Sequence, residues 1–158
     1  MELRKQWEFK GFKFKGFIDR LDSVGGELRV VDYKTGRVLD KEKDINEANA
    51  VEVAEALFSP ETSAKDRPKI AFQLFLYDKF MENESEASGK PLFNSIYHVA
   101  SLFQEPVKNV PVCKAFMEKM EEGLEALLSE ISSTQTGFRL TDDKDVCKYC
   151  EFNNICGR

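Results

Sequence analysis

Residues 16–36 read GFIDRLDSVGGELRVVDYKTG, two short apolar segments separated by a turn at residues 23–26. The two glycines of that turn favour a tight hairpin, so the flanking segments are expected to pair as antiparallel strands. With the turn centred on the glycines, Asp19 comes to lie on the strand next to Asp32. Alternate side chains of a strand share a face, which places Asp32 and Lys34 together. Two carboxylates and one amine are therefore predicted to converge.

The segment before the turn has a regular pattern of its own. Residues 7–22 alternate aromatic and polar side chains, which predicts one long strand. Phe12 and Phe14 then lie on one face of this strand, and Lys13 and Lys15 lie on the other. The two lysines could contribute a phosphate contact from the exposed face.

The remaining chain alternates helical patterns and turn signals. Residues 38–69 are polar and contain a helical stretch near 47–58, and an apolar helix is predicted over 70–81. A strand is predicted over 94–103, followed by a long helix for which Pro111 suits the first position. Apolar residues recur at helical spacing in that last helix: Val112, Phe116, Met120, Leu124, Leu127, Leu128 and Ile131.

Length and composition limit the class of protein. A chain of 158 residues with 42% hydrophobic content can bury one ordinary core, so residues 1–158 are expected to form a single domain. No segment approaches the roughly 20 apolar residues of a membrane span, and the first residues lack the apolar core of a signal peptide. We therefore expect a cytoplasmic protein with no membrane partner. The formal net charge of −5 argues against coating nucleic acid through bulk positive charge.

Carboxylates and an amine at one strand end suggest a specific chemistry. Carboxylate oxygens are the hard ligands that Mg²⁺ and Mn²⁺ prefer, and a neighbouring ammonium can hold an attacking water or balance charge on a phosphate. This combination is typical of phosphodiester hydrolysis. The alternative is that Asp32 and Lys34 form an ordinary exposed ion pair where the strand ends.

The tail 138–158 is rich in cysteine. Three of the four cysteines occur in its last twelve residues: Cys147, Cys150 and Cys156. A C-x-x-C pair can hold one metal through a tight turn, whereas disulfides need an oxidising compartment. The alternatives are reduced thiols, or a zinc site completed by Cys113 or His98. Cys113 is otherwise expected in the core and His98 in a strand.

Four motifs occur in an order that resembles a known family. GFIDRLD, VVDYKTG, Gln73-x-x-x-Tyr77 and the closing C-x-x-C-x5-C together resemble the RecB-like branch of the PD-(D/E)XK nucleases. That branch includes the nuclease domains of bacterial helicase-nucleases and the CRISPR adaptation exonucleases, and the resemblance covers roughly residues 8–158. It implies an α/β, restriction-endonuclease-like core with a central mixed β-sheet flanked by helices.

The resemblance also implies roles for individual residues. Asp19 and Asp32 would be metal ligands for Mg²⁺ or Mn²⁺ beside the backbone carbonyl of Tyr33, and Lys34 would be the catalytic lysine. Gln73 and Tyr77 match a family helix, and their i, i+4 spacing independently puts both on one helical face. Without the other motifs, this pair could equally be a polar seam in a core helix.

By the same resemblance, the chain would be a metal-dependent DNA nuclease domain, an exonuclease rather than an endonuclease, that acts in DNA repair or recombination with a helicase domain or subunit. Cys147, Cys150 and Cys156 would hold a [4Fe-4S] cluster together with a far-upstream fourth cysteine. The sequence departs from the pattern here, because no cysteine and no motif-bearing helix precede GFIDRLD.

Glu8 is the sole candidate for the missing upstream metal ligand, and it is expected to be a strand-face residue instead. We therefore expect a C-terminal piece of a longer protein that lacks its N-terminal helical part. Such a piece would lack the upstream metal ligand that the family uses for turnover and the fourth cysteine of its cluster. The alternative function is a non-catalytic DNA-binding or scaffold module that keeps the nuclease fold.

Overall fold

The two strands predicted around the Gly-Gly turn are present. Arg20–Val24 and Glu27–Lys34 pair antiparallel, and both turn glycines have positive φ (61° and 88°), which glycine adopts without strain. The register opposes Arg20 to Val31. Asp19 directly precedes the first of these paired residues and lies in a bend.

The computed structural model describes residues 3–104, 106–135, 137 and 139–157. Its strands are β1 (Leu3–Phe9), β2 (Phe12–Ile18), β3 (Arg20–Val24), β4 (Glu27–Lys34), β5 (Leu92–His98) and β6 (Val110–Pro111). Its helices are α1 (Ala50–Phe58), α2 (Lys69–Met81), α3 (Lys114–Ser132), α4 (Lys144–Cys147) and α5 (Asn153–Cys156). Single 3₁₀ turns occur at Asp40–Glu42, Ser85–Ala87 and Val99–Ser101. Phe138, where the predicted tail begins, lies outside the described residues.

The central sheet is mixed, as predicted. Its strand order is β3-β4-β5-β6, with β4 and β5 parallel and the other pairs antiparallel. Leu28 and Val30 of β4 pack against Leu74 and Phe80 of α2 in one buried cluster. Because β4 alternates, Asp32 and Lys34 lie on this same helix-covered face. The expected α/β fold with helices flanking a mixed sheet is confirmed.

The prediction of one strand over residues 7–22 is wrong. Lys10 and Gly11 both have positive φ (49° and 83°) and form a two-residue turn, so β1 and β2 make a separate antiparallel hairpin. The alternation of aromatic and polar side chains continues through such a turn without interruption, which is why the pattern concealed it. A bend at Asp19 then carries the chain from the hairpin into the central sheet.

The strand predicted over 94–103 is also shorter than expected. Strand β5 ends at His98, and the chain continues into the 3₁₀ turn Val99–Ser101. Val99 and Phe103 are exposed, so their apolar character reflects no buried strand.

Pro111 does not begin the long helix. It belongs to β6, where it opposes Phe93 at the edge of the sheet, and α3 begins at Lys114 with Cys113 as its N-cap. An edge strand tolerates proline because the missing N–H faces no further strand. The helical spacing correctly predicted four buried residues of α3: Phe116, Met120, Leu124 and Leu128. Leu127 and Ile131 are exposed instead, because they lie outside the face of α3 that contacts α1.

Close approach of two helices forms the second buried cluster. Gly123 of α3 lies against Phe58 of α1, and a Cβ built on this glycine would fall 2.3 Å from the Phe58 ring. Val53 and Met120 pack in the same cluster. In the described ranges, no helix combines the length and the apolar character that crossing a membrane requires.

Candidate active site

Asp32 and Lys34 lie at the carboxyl end of β4, on the face that α2 covers. Asp32 is fully buried, with 0% of its surface exposed, and the Lys34 Nζ lies 2.6 Å from Asp32 Oδ2. The Lys34 side chain itself is 21% exposed. A carboxylate inside the fold is therefore neutralised by a lysine that still reaches solvent.

Gln73 and Tyr77 of α2 complete a closed ring with this pair. The Lys34 Nζ donates to Gln73 Oε1 at 2.7 Å, and Gln73 Nε2 donates to the Tyr77 hydroxyl. The Tyr77 hydroxyl in turn approaches Asp32 Oδ1 at 3.5 Å. Because an ammonium can only donate, Lys34 fixes which end of the Gln73 amide faces it. Helix α2 thus contacts both members of the ion pair, Lys34 through Gln73 and Asp32 through Tyr77.

Asp19 lies beside the ring on the neighbouring chain segment. Its Oδ2 accepts the backbone N–H of Tyr33 at 3.0 Å, which fixes the carboxylate where β2 bends toward β3. Its charge also acts on the ring, because it raises the pKa of both Asp32 and Tyr77. The structure therefore brings Asp19, Asp32, Lys34, Gln73 and Tyr77 together.

Burial dominates the electrostatics of the site. It raises the pKa of Asp32, and the hydrogen bond and charge of Lys34 oppose that rise. Burial also raises the pKa of Tyr77 to about 12, so its phenol stays protonated at neutral pH. Asp19 and Asp32 place negative charge in a region of low solvation. A cation at this position would reduce the free-energy cost of burying these charges.

The donor chemistry fits a hard divalent cation, with two carboxylates as its ligands. Asp32 Oδ2 is buried, and the Lys34 ammonium at 2.6 Å is its only partner among the described residues, which leaves the oxygen a further lone pair for a cation. Within the described residues, no three His, Cys, Asp or Glu side chains gather closely enough to hold a metal ion. Asp19 and Asp32 therefore fit the cation by oxygen type, without a third side-chain ligand among the residues described.

Tyr33 points to the opposite face of the sheet. Its hydroxyl accepts a hydrogen bond from Arg20 Nη1 at 2.9 Å, and its ring lies 5.5 Å from the ring of Tyr97. Arg20 also binds Asp22 through two hydrogen bonds of 2.7 and 2.6 Å. Only the backbone of Tyr33 is thus available to the site, since its side chain belongs to this outer polar layer.

Glu42 positions the site and was missed by the sequence reasoning. It is buried, and its Oε1 accepts the backbone N–H groups of Ile70 at 2.7 Å and Ala71 at 3.0 Å. These N–H groups belong to the first turn of α2, where the helix itself supplies no acceptor for them. Helix α2 carries Gln73 and Tyr77. A cap supplied from 28 positions upstream leaves no local sequence signal, unlike a capping box.

The tail cysteines belong to no metal-binding group of three or more His, Cys, Asp or Glu side chains among the described residues. Cys147 ends α4, Cys156 ends α5, and the Cys150 N–H donates to the Cys147 carbonyl at 3.1 Å. Cys113 is buried, as predicted, and its thiol donates to Glu47 Oε1 at 3.4 Å. His98 ends β5, with Nδ1 3.1 Å from the Ser101 hydroxyl.

Comparison with known families agrees with this geometry. The family model of the PD-(D/E)XK nuclease superfamily matches residues 1–157. Neither a search of curated proteins nor a search of solved structures found a significant match. Since the match spans nearly the whole sequence and includes both strands and the helix of the site, the chain belongs to the PD-(D/E)XK nuclease superfamily.

Proposed function

We propose that this chain is a nuclease domain that hydrolyses phosphodiester bonds of DNA with the help of Mg²⁺ or Mn²⁺. The observation that carries the proposal is the closed ring of Asp32, Lys34, Gln73 and Tyr77 with Asp19 beside it. A buried carboxylate held by a lysine is weak evidence for stability, because desolvation offsets the attraction. Perturbed, paired groups of this kind cluster at functional sites.

Asp19 and Asp32 would hold the cation, with the backbone carbonyl of Tyr33 as a further oxygen ligand. When bound, a divalent cation supplies stabilisation of the negative charge that develops on the phosphate oxygens. The carboxylates keep their ligand geometry through contacts already present, since Asp19 accepts the Tyr33 N–H and Asp32 is packed inside the fold.

Lys34 would act toward the attacking water and the phosphate. An ammonium has three N–H donors, and the side chain uses two of its directions on Asp32 and Gln73. Its remaining donor can orient a water or bind a phosphate oxygen from the solvent side. Gln73 and Tyr77 are positioning residues in this scheme, because they fix Lys34 and Asp32 on one helix.

The finer assignment rests on the motif resemblance described above. It is consistent with an exonuclease that acts in DNA repair with a helicase domain or subunit. A [4Fe-4S] cluster would use Cys147, Cys150 and Cys156 with a fourth cysteine from outside this sequence. Anaerobic reconstitution of a protein that also carries the fourth cysteine tests this, because a cluster gives visible absorption that Cys147→Ala should remove, whereas colourless zinc uptake would contradict it.

The main experiment separates metal binding from cleavage. Mn²⁺ is titrated by calorimetry into the wild-type chain and into Asp32→Asn, Lys34→Gln and Asp22→Asn, and each protein is assayed on end-labelled single- and double-stranded DNA. Asp22→Asn is the matched control, because Asp22 is a β3 carboxylate that pairs with Arg20 on the opposite face.

We expect Asp32→Asn to lose both Mn²⁺ binding and cleavage. Lys34→Gln should bind Mn²⁺ but lose cleavage, and Asp22→Asn should keep both. Mn²⁺ affinity that is unchanged in Asp32→Asn would overturn the metal site. Metal binding without cleavage in the wild type would favour the non-catalytic module for this chain.

A further inference from the structure

The β1–β2 hairpin has two chemically different faces. Its inner face is aromatic: the Trp7 ring stacks on Phe9 at 4.9 Å and meets the edge of Phe75 of α2 at 5.8 Å. The outer face consists of the alternate residues that the register pairs across the two strands: Arg4 with Phe17, Gln6 with Lys15, and Glu8 with Lys13. All six side chains of this outer face are exposed.

Three cations on the outer face have no partner among the described residues. Lys5 and Lys10 of the same hairpin form ion pairs with Glu84 at 2.8 Å and Glu125 at 2.6 Å. In contrast, Arg4, Lys13 and Lys15 make no ion pair or hydrogen bond within the part of the chain that the structure describes. An anionic ligand could therefore bind these three cations without displacing an intramolecular partner. In a chain of net charge −5, such a face attracts anions locally.

The outer face borders a surface depression at the edge of the hairpin. This depression of about 350 Å³ is lined by Arg4, Gln6 and Lys15 together with the Lys5–Glu84 ion pair. Two cations and one amide donor thus converge on a single hollow. Phosphodiester oxygens are acceptors that carry charge, and guanidinium, ammonium and amide groups are the donors that commonly bind them.

Phe17 adds an aromatic ring at the end of this face nearest the candidate site. Its side chain is 53% exposed, and it lies across from Arg4 in the hairpin register. Phe17 and Asp19 are two positions apart, with only Ile18 between them, so their Cα atoms lie within about 7 Å. Exposed aromatic rings along a basic track are the arrangement by which proteins hold single strands, because each unpaired base offers a face for stacking.

We propose that the outer face of the β1–β2 hairpin binds one single strand of nucleic acid and leads it to Asp19 and Asp32. Arg4, Lys13 and Lys15 contact phosphates, and Phe17 stacks on a base close to the scissile bond. Recognition is independent of sequence, because every contact is with the backbone or with a base face. This inference rests on the proposed nuclease function and names the form of nucleic acid that it takes.

The test measures binding separately from cleavage. Binding of a fluorescently labelled oligothymidylate to the 158-residue chain is followed by anisotropy in EDTA, over a series of salt concentrations. The variants are Lys13→Gln with Lys15→Gln, and Phe17→Ala with Phe17→Tyr as its conservative partner. The matched control is Lys114→Gln with Lys119→Gln, which removes the same charge from α3.

Loss of two phosphate contacts should weaken binding and reduce the slope of log K against log salt by about 1.4 in the double lysine variant. Phe17→Ala should weaken binding roughly tenfold with an unchanged salt slope, because it removes stacking rather than charge. Phe17→Tyr and the α3 control should bind like the wild type.

Three outcomes would overturn the inference. They are wild-type affinity and slope in the double lysine variant, an equal loss in the α3 control, and tighter binding of blunt duplex than of oligothymidylate. Cleavage of the same oligonucleotide in Mn²⁺ is assayed in parallel. Hairpin-dependent binding without cleavage would refute the nuclease function and retain the strand-binding face, whereas cleavage with hairpin-independent binding would do the reverse.

Discussion

Asp78 of α2 is expected to make the fold less stable as pH rises. Its carboxylate is buried, and its Oδ2 accepts a hydrogen bond from Asn94 Nδ2 at 2.9 Å. Its other oxygen and the Asn94 Oδ1 have no hydrogen-bond partner within the described residues. Burial raises the pKa of Asp78 to about 7, against the lowering effects of Asn94 and Lys79, and the charge of Glu82 adds to the rise.

The sign follows from proton binding. Between the ordinary carboxyl pKa of 3.8 and about 7, the folded chain keeps a proton on Asp78 that the unfolded chain has lost. The free energy of unfolding therefore falls with rising pH through this window. Above it, the loss of stability caused by ionising Asp78 is complete. A difference of this size in pKa corresponds to about 4 kcal/mol, most of it between pH 5 and 8.

Asp78→Asn removes the titration while keeping the size and polarity of the side chain. Relative to the wild type, the variant should gain about 2–3 kcal/mol of unfolding free energy between pH 5 and pH 8. Urea denaturation at the two pH values measures this, and the double difference cancels any constant effect of the substitution. Asp142→Asn is the control at an exposed carboxylate. A stability difference between Asp78→Asn and wild type that does not change with pH would refute the reasoning.

Three further substitutions test the contacts that hold the site and the core. Glu42→Gln weakens the cap of α2 and should cost about 1–3 kcal/mol in urea denaturation; an unchanged midpoint would contradict the role of the carboxylate. Gly123→Ala forces a Cβ into the Phe58 ring and should cost about 1–3 kcal/mol despite the better helix propensity of alanine, whereas Ser129→Ala on the exposed face should be neutral. Gln73→Ala should slow DNA cleavage by about 10–100-fold with calorimetric Mn²⁺ affinity retained, and an undiminished rate would show that the Lys34 tether is dispensable.

The central hairpin was predictable because its signals are local. Two adjacent glycines specify the turn, and a two-residue turn fixes the register of everything that follows. The proximity of Asp19 to the end of β4 and the shared face of Asp32 and Lys34 are consequences of that register and of strand alternation. Helix α2 could also be predicted from the sequence, because a dense apolar segment between a proline and a polar loop indicates where the helix begins and ends.

Other features depend on contacts that the local sequence does not encode. The Lys10–Gly11 turn places a lysine at positive φ, which no propensity rule favours, and the aromatic alternation continues across it. Pro111 is compatible with a helix start and with an edge strand, and only its pairing with Phe93 decides between them. The Glu42 cap on α2 links positions 28 apart in the sequence.

Helix α2 joins stability and chemistry in one element. Gln73 and Tyr77 face the candidate site, whereas Leu74 and Phe75 fill the two buried clusters on either side of the helix. A change that loosens this helix should therefore weaken folding and cleavage together, and loss of activity in such a variant cannot by itself identify a catalytic role. Lys34 lies on β4, is partly exposed and contributes to neither cluster, but it neutralises the buried Asp32 carboxylate. The free energy of unfolding must therefore be measured for Lys34 variants beside their activity.

Substitutions on the outer face of the β1–β2 hairpin can be interpreted without a change in folding. The inner face of the hairpin supplies Trp7 and Phe14 to the core, while its outer face contributes no residue to either buried cluster. Substitutions at Lys13 or Lys15 should therefore change strand affinity and leave the free energy of unfolding within about 0.5 kcal/mol. Strand binding is consequently assigned to side chains separate from the Asp32–Lys34 pair and from the buried face of α2. Variants of the two lysines should lower affinity alone, whereas variants of the other two sets should change stability together with cleavage.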